Sequence, residues 1–276
     1  MRRFMVRVAW AIAALGAAAM PRAASAAEGP QPEVLNLVPD DTDTVFCWGE
    51  PRSGSTFQFM AACVASTLKW PNKHVDCDMR KASLNTQKTA DVNVVKSHKI
   101  PRIIDGRPVY KGNRVVVAST VEEASEPFQK IVDAGIKITF RVTKAQLARN
   151  VHLGIALFWE AFALSEEDRA TMEEFMHLWD ITRRCCGSQA SKAWRQKLTS
   201  GRIHEKPYHE CQAYDLDRVE AMLFDSRFVQ QHPEQLFFPD RGMPQWERGM
   251  CTRSIEALQS GLGFNGDWLP AEASGP

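Results

Sequence analysis

The chain has 276 residues, of which 44% are hydrophobic and 24% are charged, and its formal net charge at pH 7 is +1. A chain of this length can bury the core of one sizeable α/β domain. The near-neutral charge argues against bulk binding of nucleic acid, which normally needs a clearly basic domain, so no nucleic-acid partner is expected.

The N-terminus has the three-part pattern of a secretory signal peptide. Three arginines within the first seven residues precede an apolar run over 8–20, and small residues at 24–26 offer a cleavage site. The apolar run is shorter than the roughly 17 to 25 residues that a membrane-spanning helix needs. We therefore predict a signal peptide over 1–26 and a single domain over 27–276, with a mobile N-terminal lead-in and C-terminal tail. Retention of the first segment as a membrane anchor is the alternative.

Strand patterns and helix patterns alternate through the first half of the chain. This order indicates a parallel sheet with flanking helices. Four runs rich in apolar or β-branched residues predict strands, at 44–48, 91–96, 114–118 and 136–142. The polar stretch 69–90, between the first two of these strands, is interpreted as a surface excursion.

Two helices are predicted between these strands. The run 56–65 has the length and apolarity of a core helix. A second helix is expected to begin at a capping box formed by Thr120 and Glu123. We expect it to end near Gly135, because glycine tolerates the left-handed conformation that closes many helices. Pro127 fits this helix only in its first turn.

Beyond Lys144 the pattern becomes helical. Apolar residues recur at three- and four-residue spacing, which is typical of helix faces that pack into a core. They are Val151, Leu153, Ile155, Leu157, Phe158, Met172, Phe175, Met176 and Trp179. The C-terminal half is therefore predicted to be rich in helix.

The seven cysteines suit an oxidising compartment, where disulfides persist. Their odd number leaves at least one cysteine free or paired outside the chain. Cys47 and Cys63 fall in the predicted core strand and core helix, where buried thiols are expected. The remaining five are candidates for pairing, with the connectivity open: Cys77, Cys185, Cys186, Cys211 and Cys251.

A loop with the outline of a phosphate-binding loop follows the first predicted strand. Such loops in nucleotide triphosphatases read G-x-x-x-x-G-K-[ST], and Gly49 and Gly54 keep this spacing. Ser55 replaces the lysine, and the cation is Arg52, inside the loop. Backbone N–H groups can still bind an anion at the start of the following helix. An ordinary Gly/Ser turn without a ligand is the simpler alternative.

Two motifs together resemble those of a known enzyme family. The run Pro51–Phe57 resembles the P-[KR]-S-G-[TS]-T-[WF] loop of the PAPS-dependent sulfotransferases. Lys96–His98 resembles the K-[TS]-H segment after the second strand of that family, and Pro101 matches a proline shortly after it. The resemblance covers mainly residues 44–120. It implies an α/β protein with a three-layer P-loop-like fold, in which helices flank a central, mainly parallel sheet.

The resemblance also implies a chemistry. The loop would bind the 5′-phosphosulfate of 3′-phosphoadenylyl sulfate (PAPS) as co-substrate, without a metal, and a hydroxyl of a glycan or small molecule would accept the sulfuryl group. Donor-binding residues would be Arg52, Ser53, Gly54, Ser55, Thr56 and Phe57. His98 would act as the general base, while Arg52 and Lys96 would offset negative charge on the bridging oxygen. The family's endomembrane members act in the Golgi lumen, so a luminal or secreted enzyme is expected.

The chain departs from the family at the position that clasps the 3′-phosphate of the donor. Ser119 stands where an arginine is expected, and Glu122 and Glu123 nearby would repel a phosphate. Arg114 or Arg141 would then have to serve, or donor binding is weakened or lost.

Two other functions stay open at this point. A P-loop kinase or NTPase is disfavoured by Ser55, which lacks the charge of the usual lysine. A non-catalytic secreted domain that kept the fold and lost the donor site is the alternative from another class.

Overall fold

The computed structural model describes residues 34–78, 90–99, 103–104, 107–108, 113–149, 151–186 and 214–233. The strands in these ranges are β1 (Thr44–Gly49), β2 (Val75–Asp78), β3 (Val92–Ser97), β4 (Ile103–Ile104), β5 (Arg107–Pro108), β6 (Arg114–Thr120) and β7 (Ile138–Thr143). The helices are α1 (Ser55–Lys69), α2 (Glu126–Asp133), α3 (Lys144–Arg149), α4 (Val151–Phe162), α5 (Glu166–Cys186), α6 (Leu216–Asp225) and α7 (Arg227–Gln231).

Five of the strands form one parallel sheet, in the order β2-β3-β1-β6-β7. β1 is central and pairs with β3 on one side and β6 on the other. Every residue of β1 and β6 is buried, as expected of parallel strands that are covered on both faces. β4 and β5 form a separate antiparallel pair. The predicted α/β class with a central parallel sheet flanked by helices is confirmed.

Helices cover both faces of this sheet. Val45 and Cys47 of β1 face a large core to which α1, α4, α5 and α6 contribute. Phe46 and Trp48 face the other side, where Ile131 of α2 completes a smaller core. The alternation along β1 follows from the two-residue period of strand side chains. It leaves Gly49, the last residue of the strand, at the carboxyl edge of the sheet.

A β-bulge and the segment at Leu35 and Asn36 cover part of the outer edge of strand β7. The bulge lies opposite Val116 and Val117 of β6, and the extra residue on β7 is Thr139. The backbone carbonyl of Thr139 accepts the N–H groups of Leu35 and Asn36. This segment therefore covers hydrogen-bonding groups that an open edge strand would expose.

The four predicted strands and the first predicted helix are confirmed. Each strand bound agrees within two residues, and α1 extends the prediction for 56–65 to Ser55–Lys69. One strand of the parallel sheet was missed, because the stretch 69–90, interpreted as a surface excursion, contains β2, and the two-residue strands β4 and β5 were not predicted either. Two of the four residues of β2 are aspartates, so its apolar pattern is too short and interrupted to detect.

The predicted start of α2 is wrong. Thr120 is the last residue of β6, and the helix is capped instead by Ser125, whose Oγ accepts the N–H of Phe128 at 3.1 Å. Pro127 lies in the first turn of α2, as predicted. The helix ends two residues before Gly135, which has a left-handed φ of 70°.

The assignment of the cysteines as disulfide-bonded or free differs from the prediction. Cys63 forms a disulfide with Cys77, because β2 brings Cys77 alongside α1, so the expectation of a free Cys63 thiol is wrong. Cys47 is a buried free thiol, as predicted. Cys185 is also disulfide-bonded.

Several predictions concern residues outside the described ranges. They are the signal peptide over 1–26, most of the lead-in before Val34, and the positions Pro101, Cys211 and Cys251. Among the helices that the structure does describe, none combines the length and apolarity needed to cross a bilayer.

Candidate anion-binding site

The candidate site is the loop of residues 50–54, which connects the end of β1 to the start of α1. In open parallel sheets, ligands bind outside the carboxyl ends of strands whose connections leave towards opposite faces. α1 packs on one face of the sheet, whereas α2, which follows β6, packs on the other. The loop therefore lies where a crevice between β1 and β6 is expected.

The loop begins with a tight turn at Glu50–Ser53. The Glu50 carbonyl oxygen accepts the Ser53 N–H at 3.1 Å and the Ser53 hydroxyl at 2.7 Å. Pro51 suits the first corner because its φ is fixed near −65°. Arg52, at the second corner, has a left-handed φ of 69°. Turns of this kind usually place glycine or asparagine there, so Arg52 holds a strained conformation that the surrounding contacts must stabilise.

The N-terminus of α1 is open towards the loop. Gly54 is the N-cap, at a φ of 90°, and no side chain of the described residues caps the first turn. The first N–H groups of a helix have no partner within the helix, and the helix dipole places partial positive charge there. The amides of Ser55, Thr56 and Phe57 thus form a backbone site suited to an anion.

Gly49 is required by the close packing under the loop. A Cβ atom at this position would clash with the Cβ of Ser55 and with the Oγ of Ser119. Ser55 itself is buried in the position that a lysine takes in triphosphatase loops. The site therefore has no lysine from α1.

Lys96 brings a cation to the start of α1 from the neighbouring strand. The register of β3 against β1 places Lys96 beside Cys47 and Ser97 beside Trp48. The Nζ of Lys96 donates to the Oγ1 of Thr56 at 2.9 Å. An ammonium group thus lies next to the first turn of α1, although it comes from a different element than in triphosphatases.

His98 contacts the loop at the last residue of β1. Its Nδ1 lies 2.6 Å from the carbonyl oxygen of Gly49. A carbonyl oxygen only accepts, so Nδ1 carries the proton in this bond, and Nε2 is the nitrogen that can accept a proton in the neutral ring. The side chain of His98 is exposed, which leaves Nε2 accessible.

Ser119 hydrogen-bonds to the loop at two points. It is fully buried, its carbonyl oxygen accepts the N–H of Glu50 at 3.0 Å, and its Oγ lies 2.7 Å from the Oγ of Ser53. The Ser53 hydroxyl is thereby committed to protein contacts on both sides. Of the predicted donor-binding residues, Ser53 serves to hold the shape of the loop.

The side chain of Phe57 does not line the loop. Its ring is buried, with its centroid 6.4 Å from that of Trp179, and it contacts the helix α4 at Gly154. Its spacing on α1 directs the ring into the large core. The predicted role of Phe57 in donor binding is therefore restricted to its backbone N–H.

The arginines considered for the 3′-phosphate are both placed elsewhere. Arg114 is the first residue of β6, at the amino end of the strand, where its Nε lies 3.8 Å from an oxygen of Asp43. Arg141 donates to the carboxylate of Glu123 at 3.0 Å, and its guanidinium stacks over the ring of Phe128. Arg114 therefore cannot reach the loop, and Arg141 already pairs with one of the acidic residues expected to repel a phosphate.

The structure brings three of the predicted site residues to the same edge of the sheet: Arg52, Lys96 and His98. Glu50, which also belongs to this site, was not identified from the sequence. Its carboxylate partners lie 71 and 75 residues further along the chain, so no local pattern could reveal them. Within the described ranges, no group of three or more His, Cys, Asp or Glu side chains is arranged to hold a metal ion.

No protein-family model, curated protein sequence or solved structure matches this chain. The class of protein that the structure defines is an α/β protein with an all-parallel five-stranded sheet and flanking helices.

Proposed function

We propose that this protein is a sulfotransferase that transfers a sulfuryl group from PAPS to a hydroxyl of a glycan or small molecule. One observation carries the proposal: two basic side chains at the end of β3 contact the residues on either side of the loop after β1. Lys96 reaches Thr56, and His98 reaches Gly49. The resemblance of both motifs to the sulfotransferase family supplies the identity of the transferred group.

In the proposed sulfuryl transfer, each group at the carboxyl edge of the sheet has a separate role. The Nε2 of His98 takes the proton of the acceptor hydroxyl, and the hydroxyl oxygen forms a bond to sulfur. The bond between sulfur and the bridging oxygen breaks, and its electron pair stays with the leaving adenosine 3′,5′-bisphosphate. Arg52, Lys96 and the first amides of α1 stabilise the charge that develops on this oxygen. Such preorganised charges act most strongly where water is excluded.

The secretory pathway is the proposed location. The signal-peptide pattern of the N-terminus and the Cys63–Cys77 disulfide both support it, because disulfides persist in oxidising compartments. A luminal or secreted protein would encounter glycans and small metabolites with free hydroxyls.

The test combines turnover with binding. His98→Ala should lower turnover of PAPS by about 10² to 10⁴, the usual contribution of a general base, and leave the affinity for adenosine 3′,5′-bisphosphate nearly unchanged. Arg52→Ala should abolish that affinity in isothermal titration calorimetry. His177→Ala, an exposed histidine on α5, is the matched control and should change neither quantity.

Three outcomes would overturn the proposal. Full turnover by His98→Ala removes the base from the mechanism. Magnesium-dependent turnover of ATP without sulfuryl transfer makes the protein a phosphoryl-transfer enzyme. No binding of the bisphosphate to the unaltered protein indicates a non-catalytic domain that kept the fold.

A further inference from the structure

The loop that would bind an anion contains the carboxylate of Glu50, and both oxygens of this carboxylate contact the connection between β6 and α2. One oxygen of Glu50, Oε2, accepts the N–H of Val121 at 2.6 Å. The other oxygen, Oε1, accepts the hydroxyl hydrogen of Ser125. Both partners belong to the connection between β6 and α2. The charge of Glu50 is therefore compensated by hydrogen bonds outside the loop.

Ser125 links Glu50 to the helix α2. Its Oγ accepts the N–H of Phe128 as the N-cap of α2, while its hydroxyl group donates a hydrogen bond to the carboxylate of Glu50. A carboxylate is stabilised near a helix N-terminus by the helix dipole. α2 is itself held on the sheet by the buried Ile131. The carboxylate of Glu50 is thus attached to a part of the fold that is packed in place.

The backbone of Glu50 holds the other side of this connection. Its N–H donates to the carbonyl of Ser119, and its carbonyl accepts both hydrogen bonds that close the turn at Ser53. Glu50 is therefore the first residue of the turn in which Arg52 holds its positive φ. Loss of the carboxylate would leave the turn without its attachment to α2, and would leave the N–H of Val121 without this acceptor.

We propose that Glu50 is a positioning residue of the anion site, whose carboxylate fastens the loop to the cap of α2 and so keeps the Arg52 turn and the first amides of α1 directed at the ligand. This inference rests on the proposed anion-binding function of the loop. Charge alone predicts the opposite effect, because a carboxylate beside an anion repels it. Removal of the charge should then tighten binding, whereas removal of a positioning contact should weaken it.

The experiment compares Glu50→Gln with Glu122→Gln. Glu122 is exposed in the connection between β6 and α2, so its variant removes the same charge from the same region. We expect Glu50→Gln to weaken binding of inorganic sulfate and of adenosine 3′,5′-bisphosphate about tenfold, a change that one charge-assisted hydrogen bond can make. Glu122→Gln should bind both as tightly as the unaltered protein or more tightly. Equal or tighter binding by Glu50→Gln would overturn the proposal.

A double-mutant cycle tests the route through Ser125. Ser125→Ala should weaken binding in the same direction, and the double variant with Glu50→Gln should lose less than the sum of the two single losses, because the contact between Glu50 and Ser125 is common to both changes. Additive losses would show that Glu50 does not act through the cap of α2.

Amide hydrogen exchange separates this proposal from the proposed function. In Glu50→Ala, which removes both acceptor oxygens, the N–H of Val121 should exchange faster, and Glu122→Ala should leave it unchanged. If the unaltered protein binds neither sulfate nor the bisphosphate, the proposed function fails, and the exchange of Val121 still decides whether the contact orders the loop. Unchanged exchange in Glu50→Ala would refute the positioning role.

Discussion

At the scale of single residues, the backbone conformation of Arg52 distinguishes this loop from an ordinary turn. A non-glycine residue at a φ of 69° is disfavoured by about 1 to 2 kcal/mol, because its Cβ approaches a backbone carbonyl. A turn without a ligand would gain stability from glycine or asparagine at this corner. The presence of arginine at this corner therefore favours a function for its positive charge. Arg52 is exposed at the tip of the loop.

Two variants of Arg52 separate strain from charge. Both Arg52→Gly and Arg52→Ala remove the guanidinium, but only glycine adopts a positive φ without strain. We expect Arg52→Gly to be more stable than Arg52→Ala by about 1 kcal/mol in chemical denaturation, and both to lose anion binding equally. Equal stabilities would indicate that the turn relaxes when the side chain is shortened. Anion binding retained by either variant would show that the charge of Arg52 is not used.

The sequence predicted which residues reach the site better than it predicted what each side chain does there. Arg52 lies in the loop after β1, Lys96 and His98 lie at the end of β3, and the ends of strands in a parallel sheet share an edge. The direction of a side chain is set by tertiary packing instead. The ring of Phe57 enters the core because helix spacing turns it towards Trp179, and no motif records that direction.

At the scale of elements, the disulfide between Cys63 and Cys77 links the edge strand β2 to α1, the helix that follows the candidate loop. β2 has only four residues and pairs with β3 alone in the sheet. A strand so short contributes few ladder hydrogen bonds and little buried apolar surface. The cross-link compensates by restricting the unfolded chain.

Removal of this disulfide should therefore destabilise the fold measurably. The two cysteines are separated by 14 residues, for which the chain-entropy model gives a loss of about 3 kcal/mol in the free energy of unfolding. We expect this loss for Cys63→Ala/Cys77→Ala in urea denaturation under non-reducing conditions. The single variant Cys63→Ala should lose nearly as much, because the cross-link is absent in both. A loss below about 1 kcal/mol would contradict a stabilising role.

The element pattern also shows what a sequence can and cannot specify about this fold. β1, β3 and β6 were predicted from runs rich in apolar or β-branched residues, and β7 was predicted from the alternation of its residues. β2 has no such run, and it is a strand because β3 offers a partner and Cys77 a covalent attachment. The start of α2 was misassigned because Thr120 and Ser125 both have capping side chains, and only the register of β6 decides between them.

At the scale of the whole molecule, the two cores on either side of the sheet meet along β1, which is buried at every position. The candidate site lies at the end of this strand, so its geometry depends on a strand that is shielded from water along its whole length. Cys47 lies in the middle of β1, and the pKa of its thiol reports how well the centre of the sheet is shielded from water. Burial raises the pKa of the Cys47 thiol well above its usual range, and the opposing attraction of Lys96 is smaller.

A buried thiol with a raised pKa makes the stability of the fold depend on alkaline pH. The folded protein keeps the Cys47 proton, whereas the unfolded chain releases it above the ordinary thiol pKa of about 8.5. The unfolded state therefore binds fewer protons at higher pH, and stability falls as pH rises, by up to about 1.4 kcal/mol per pH unit from this group. Below pH 8 the contribution is fully present.

The variant Cys47→Ala isolates this contribution. Its loss of packing lowers stability by an amount that does not vary with pH, while every other titrating group is shared with the unaltered protein. Urea denaturation between pH 7.5 and pH 10 should therefore show that the difference in stability between the two proteins shrinks as pH rises above about 8.5. A difference that stays constant across this range would mean that the Cys47 thiolate forms in the folded state at the ordinary pKa of a thiol. That would require water or a cation at the centre of the sheet. The core beneath the carboxyl edge, where the candidate site lies, would then be accessible to solvent.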